Sequence, residues 1–199
     1  MTRGPILAVF LIVLVGVVAG GFFLVRHGFS AREQPSAAET FIATRLRRLA
    51  IPSDARNTAN PVSSSPEVLH EAMAHFSDHC ATCHANDGSG NTLFGKGLYP
   101  KPPDLRQAET QKLTDGEIFY IIENGVRFTG MPAFGGSGNE QQEDSWELVR
   151  FIRHLPQITN EEIAQMKELN PKTPADFKEE EEMRQFLEGG EVGEHNHHH

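Results

Sequence analysis

Residues 80–84 read Cys80-Ala81-Thr82-Cys83-His84, and this pentapeptide decides the fold. Two thiols three residues apart can add to the two vinyl groups of a haem, and the adjacent histidine can then coordinate iron from the same side. CxxCH is therefore the attachment signature of haem c. Other readings of the pair explain less. A CxxC redox pair belongs beside a βαβ pattern, and the periodicity around the motif is helical. A structural zinc site needs a second ligand pair, but the chain has only 2 cysteines. A disulfide between Cys80 and Cys83 would leave His84 without a role.

Outward from the motif the pattern stays helical. Ser65 is placed to cap a helix with Pro66 in its first turn, and Leu69, Ala72, Met73 and Phe76 form one apolar stripe, so a helix is expected from about Pro66 to Cys80. Ala85 to Lys112 holds four glycines and three prolines, too broken for long elements; wrapped on a large apolar macrocycle, it has something to bury against. Thr114-Asp115-Gly116-Glu117 is a capping box, which starts a second helix that buries Ile118, Ile121 and Ile122 and ends at Asn124-Gly125. The last core helix is expected from near Asp144-Ser145 to Leu155, with Trp146, Leu148, Val149 and Ile152 inward, Glu147, Arg150, Arg153 and His154 outward, and Pro156 as its stop.

Between these helices lies Gly130-Met131-Pro132-Ala133-Phe134. A thioether sulfur is a soft ligand suited to haem iron, and Met131 follows His84 by 47 residues, far enough to reach the opposite face. Methionine more often fills gaps in a core, but a loop position between glycine and proline suits a gap-filler poorly.

The rest of the chain divides by composition. Ile6 to Val25 is 20 residues without a charge, about 30 Å as a helix, which is a membrane span on length. A cleavable signal peptide could be cut at Ala19-Gly20-Gly21; the apolar run is long for one and continues through Phe22-Phe23-Leu24-Val25, which favours a retained anchor. Arg3 on one side and Arg26 and Arg32 on the other leave orientation undecided by charge. A connector follows, whose first half can form a helix with Phe41, Ile42, Leu46 and Leu49 apolar and Arg45, Arg47 and Arg48 clustered. That helix either lies on anionic headgroups or packs on the domain. The connector's second half, rich in proline and small polar residues, is expected to run extended.

Of the 199 residues, 38% are hydrophobic and 23% charged, which supports a folded core. Net charge is -9, against nucleic-acid binding. The acidity belongs to one end: Met1 to Asn139 has 12 acidic and 12 basic residues, so the excess lies beyond it. Glu161 to Leu169 and Pro174 to Leu187 read as two more helices, before a tail ending in His195, Asn196, His197, His198 and His199. Those histidines are either a copper, nickel or zinc site, a purification tag or a disordered tail.

CATCH, the YPKPPDL loop, the LTDGE helix and GMPAF, in this order, resemble a membrane-anchored class I c-type cytochrome over about Ser65 to Pro156. The resemblance implies an all-α fold: three main helices around one covalently bound haem c, an N-terminal transmembrane helix and a C-terminal helical extension. The corresponding division is an anchor at 1–29, a connector at 30–65, the haem domain at 66–157 and the acidic extension at 158–199. It further implies thioether bonds from Cys80 and Cys83, proximal ligation by His84 and distal ligation by Met131. A proline carbonyl, from Pro102 or Pro103, would accept the other ring N–H of His84. It also implies crossed first and last helices, with Phe76 against Trp146 or Phe151.

The activity implied is outer-sphere electron transfer between redox proteins of a respiratory or similar chain, with no small-molecule substrate. The haem domain would then lie on the periplasmic side of the cytoplasmic membrane. A haem enzyme or sensor, in which Met131 leaves to admit peroxide or a gas, is the alternative. His75, His79 and His154 are rival sixth ligands.

Overall fold

The computed structural model describes residues 3–27, 30–136, 138–172, 177, 178 and 181–184. Among these residues there is no β-strand. In helix α1, Arg3–His27, the stretch Gly4–Phe23 is 20 residues of exposed, predominantly apolar sequence, long and apolar enough to cross a membrane. Helix α2, Ala37–Ala50, is capped by Ser36, with Glu39 reaching back to the Ser36 N–H at 2.7 Å. The expected extended stretch after it contains a helical turn, α3, Ser53–Asn57, because Pro52 sets up a first turn and Ser-Asp-Ala-Arg-Asn contains no breaker.

Helix α4, Pro66–His75, starts at the expected Ser65 cap, but helical structure does not stop at Cys80. It passes through a π-turn, Phe76–Cys80, into α5, Ala81–His84, so the attachment motif itself is helical. Short helices α6, Leu93–Lys96, and α7, Ala108–Gln111, punctuate the glycine- and proline-rich stretch. Helix α8, Asp115–Asn124, has the expected Thr114–Glu117 capping box and ends at Gly125, φ 64°; Ile118 and Ile122 are buried and Ile121 partly so.

Helix α9, Asn139–His154, begins five or six residues before the expected start, since Asn139 to Asp144 are all polar and carry no apolar periodicity to announce a helix. A 3-10 turn, Leu155–Gln157, leads to α10, Asn160–Leu169, capped by Thr159 and Glu162. Of the second expected C-terminal helix, Pro174 to Leu187, most lies outside the described residues, as do His195, His197, His198 and His199.

The core forms where α4 packs along α9. Phe76 meets Phe151, one of its two expected partners, with ring centroids 5.1 Å apart. Trp146 instead stacks on Phe119 of α8, 3.9 Å and 7° from parallel. Helix α10 closes over α4 and the π-turn and buries Met166 completely.

Arg150, Arg153 and His154 are half-buried rather than outward. Arg150 donates from Nε and a terminal nitrogen to the Val62 carbonyl at 2.8 and 2.6 Å. Arg153 binds Asp115 and the Gln111 and Leu113 carbonyls. His154 pairs with Glu162 at 2.8 Å. Long basic side chains at inward positions cap carbonyls of neighbouring segments, which hydrophobic periodicity does not register. The connector is held down by the same helix: Asn60 donates to the Trp146 carbonyl at 2.9 Å.

Candidate haem site

The π-turn sets the register of the attachment motif. Ser77, fully buried, turns its hydroxyl back to the Met73 carbonyl at 2.7 Å, and the Ala81 N–H reaches the Phe76 carbonyl five residues back. Such a hydroxyl competes with the regular ladder and widens one turn, re-aiming the residues that follow. Cys80 is the last residue of that turn, and Cys83 and His84 follow it.

The helix ends abruptly after His84. Ala85 has φ 61° and ψ 158°, a conformation costing an L-residue on the order of 1–3 kcal/mol. The surrounding bonds hold it: its N–H donates to the Ala81 carbonyl, its carbonyl accepts from Gly88, and the His84 carbonyl accepts from Gly90 at 2.8 Å. His84 is thereby fixed at the end of the helix that bears both cysteines.

The ring of His84 has one conspicuous atom. Nδ1 is buried with no hydrogen-bond partner. Burial holds the imidazole below its ordinary pKa, while the Pro103 carbonyl acts in the opposite direction without reaching hydrogen-bond geometry. The ring is therefore neutral at pH 7, the form in which a histidine offers iron a lone pair. Pro102 is placed differently, since a Cβ on Gly90 would stand 2.7 Å from its carbonyl oxygen.

Cys80 and Cys83 are both free. Burial, helped by the neighbouring Cys83, pushes the Cys80 thiol up to about 12, and burial raises Cys83 as well. Both are kept as neutral thiols.

Loops are drawn tightly around the motif. Thr92 donates its hydroxyl to the Cys83 carbonyl at 3.3 Å and caps α6 by accepting from Gly95 at 2.8 Å. A Cβ on Gly95 would lie 2.8 Å from the Cys83 carbonyl oxygen and 2.6 Å from that of Gly90, so only glycine fits. The proline loop is clamped by Arg106, which donates twice to Asp104 at 2.8 Å and once to Asp87 at 3.0 Å. The Arg106 guanidinium holds the Asp104 carboxyl down at about 2, against its partial burial.

Met131 sits half-buried in a loop that folds back on the end of α8. Its N–H donates to the Thr129 hydroxyl at 3.1 Å, its carbonyl accepts from Val126, and Phe134 donates to the Ile122 carbonyl at 3.0 Å. Gly130 abuts Leu98, whose side chain a Cβ there would meet at 2.6 Å. Thus the methionine loop touches the 93–98 loop, which touches Cys83 in turn.

The rival histidines have other partners. His75 and His79 pack on each other at 4.8 Å, with Asp78 against His79, and His154 is committed to Glu162. A neutral buried histidine, two thiols on one helical turn and a methionine loop make a donor set that fits haem c. Sequence reasoning missed the π-turn, the strained Ala85, the Thr92–Cys83 contact and the Arg106 clamp; Asp104 two residues before Arg106 was the only available hint of the last.

Residues 67–152, from α4 through α9, match the family model described as cytochrome c oxidase, cbb3-type, subunit III. No curated protein matches the chain.

Proposed function

From the premise that this chain carries a class I c-type cytochrome domain, with covalently bound haem c as its cofactor, we propose a one-electron carrier with His/Met-ligated iron, tethered by α1 to a membrane. Haem c, when bound, supplies a reversible ferrous–ferric couple. Cys80 and Cys83 would hold it through thioether bonds, His84 would ligate through Nε2, and Met131 would supply the sulfur on the other side. The Pro103 carbonyl would accept from Nδ1 of His84, fixing the tautomer and raising the ring's basicity.

The observation that carries this reading is the buried, unpartnered Nδ1 of His84 at the end of the cysteine-bearing helix, beside the Pro103 carbonyl. With His84 and Met131 both holding the iron, the protein would leave no open position for a substrate. Met131, as a thioether donor, would favour the reduced state and raise the potential. Residues 85–135 carry five basic and six acidic side chains, so long-range steering of partners by this segment is weak. The partners are redox proteins of a respiratory or similar chain, met through a small interface, and the haem domain lies on the periplasmic side.

A potentiometric titration followed by visible spectra tests the reading. A single reversible one-electron transition with one haem per chain is expected. No reversible transition, or catalytic consumption of peroxide by the native protein, would contradict it.

A further inference from the structure

Helix α2 carries an apolar face turned away from the protein. Phe41, Ile42, Leu46 and Leu49 recur at i, i+1, i+5 and i+8, which is one helical face, and they are 62%, 55%, 60% and 78% exposed. Arg45 lies within this face, its guanidinium 5.2 Å over the Phe41 ring. The opposite side turns to the domain. Arg47 is half-buried there with its Nε inaccessible to solvent, near the carboxylates of Glu109 and Glu117. The Arg48 carbonyl accepts from Arg56 at 2.9 Å, and Glu39 accepts from the Tyr99 hydroxyl at 3.0 Å.

What covers the apolar face follows from its position in the chain. Nine residues separate the end of α1 from the start of α2. At about 3.5 Å per residue, α2 begins within about 35 Å of the end of the apolar helix. The exposed charges of this region are Arg26, Arg32, Arg45 and Arg48 against Glu33 and Glu39, a basic excess that suits anionic headgroups.

We propose that α2 is a membrane-surface helix, whose Phe41, Ile42, Leu46 and Leu49 face dips into the headgroup–acyl boundary of an anionic bilayer. Arg45 and Arg48 extend to the headgroups, their stems lying along the apolar face. Because Tyr99 is bonded to Glu39, docking α2 also fixes the tilt of the loop that leads to Pro103, so the haem domain is oriented on the surface rather than merely tethered. The proposal rests on α1 spanning the same bilayer.

Nitroxides on Val13→Cys, Thr40→Cys, Ile42→Cys and Leu46→Cys of the full holoprotein, reduced and reconstituted in phosphatidylcholine–phosphatidylglycerol vesicles, test it; the thioether-bonded cysteines do not label. The ratio of oxygen to nickel-chelate collision rates should be several-fold higher at positions 42 and 46 than at 40, high at 13, and lower at 42 when phosphatidylglycerol is omitted. Equal ratios at 40, 42 and 46 with a high ratio at 13 would overturn the proposal and leave the span standing. A low ratio at 13 would overturn the span reading and the proposal with it. Spin–spin broadening at 42 would mean that a second copy covers the face, and would also overturn it.

Discussion

Phe76 and Phe151 cross at a centroid distance of 5.1 Å with their planes tilted by 54°, and both rings are buried to within 1%. This pair joins the helix leading into the cysteines to the last helix of the domain. Truncating Phe151→Ala is expected to cost about 3–5 kcal/mol, as for buried aromatics generally. Denaturant unfolding checks this, and a loss below about 1 kcal/mol would mean that the crossing does not hold the core.

The connector can be loosened without disturbing the motif. A Cβ at Gly116 would stand 1.9 Å from the Ala55 carbonyl oxygen, where α3 lies against the first turn of α8. Gly116→Ala should therefore detach residues 51–60 and expose them to limited proteolysis, while the visible spectrum stays that of the wild type. An unchanged digestion pattern would contradict this packing.

Asp104 makes the domain acid-sensitive in a defined window. Its carboxyl is held at about 2 by Arg106, below an ordinary carboxylate, so the stabilisation is fully present above about pH 4 and lost as pH falls through about 2. Asp104→Asn should lower stability by roughly 1–2 kcal/mol at neutral pH and flatten this acid limb. Stability measured against pH for both proteins checks it; parallel curves would rule it out.

Helix α10 belongs to the folded unit although it follows the family-matched residues. Met166 is fully buried against α4 and the π-turn, so Met166→Ala is expected to cost about 2–5 kcal/mol. A variant as stable as the wild type would show α10 to be dispensable.

Much of this was legible in the sequence because a few residue types have few uses. Cys80, Cys83 and His84 at fixed spacing carry the haem expectation, and Ser65 with Pro66 and Thr114 with Glu117 announce helix starts. The start of α9 was hidden by a polar first turn, and the π-turn by its dependence on one buried hydroxyl, Ser77. Arg150 and Arg153 depart from the outward placement that periodicity predicts because their partners are backbone carbonyls of distant segments, which no sequence pattern marks. The approach of the Pro102 carbonyl to Gly90 is likewise a tertiary contact that no sequence pattern marks.

We propose that His84 and Met131 together ligate one iron, and the ferric visible spectrum tests this most directly. The native protein should show the weak long-wavelength sulfur-to-iron charge-transfer band, Met131→Ala should lose it, and the ferrous variant alone should bind carbon monoxide rapidly. A native ferric protein without that band, or one whose ferrous form binds carbon monoxide as fast as Met131→Ala, would contradict the claim.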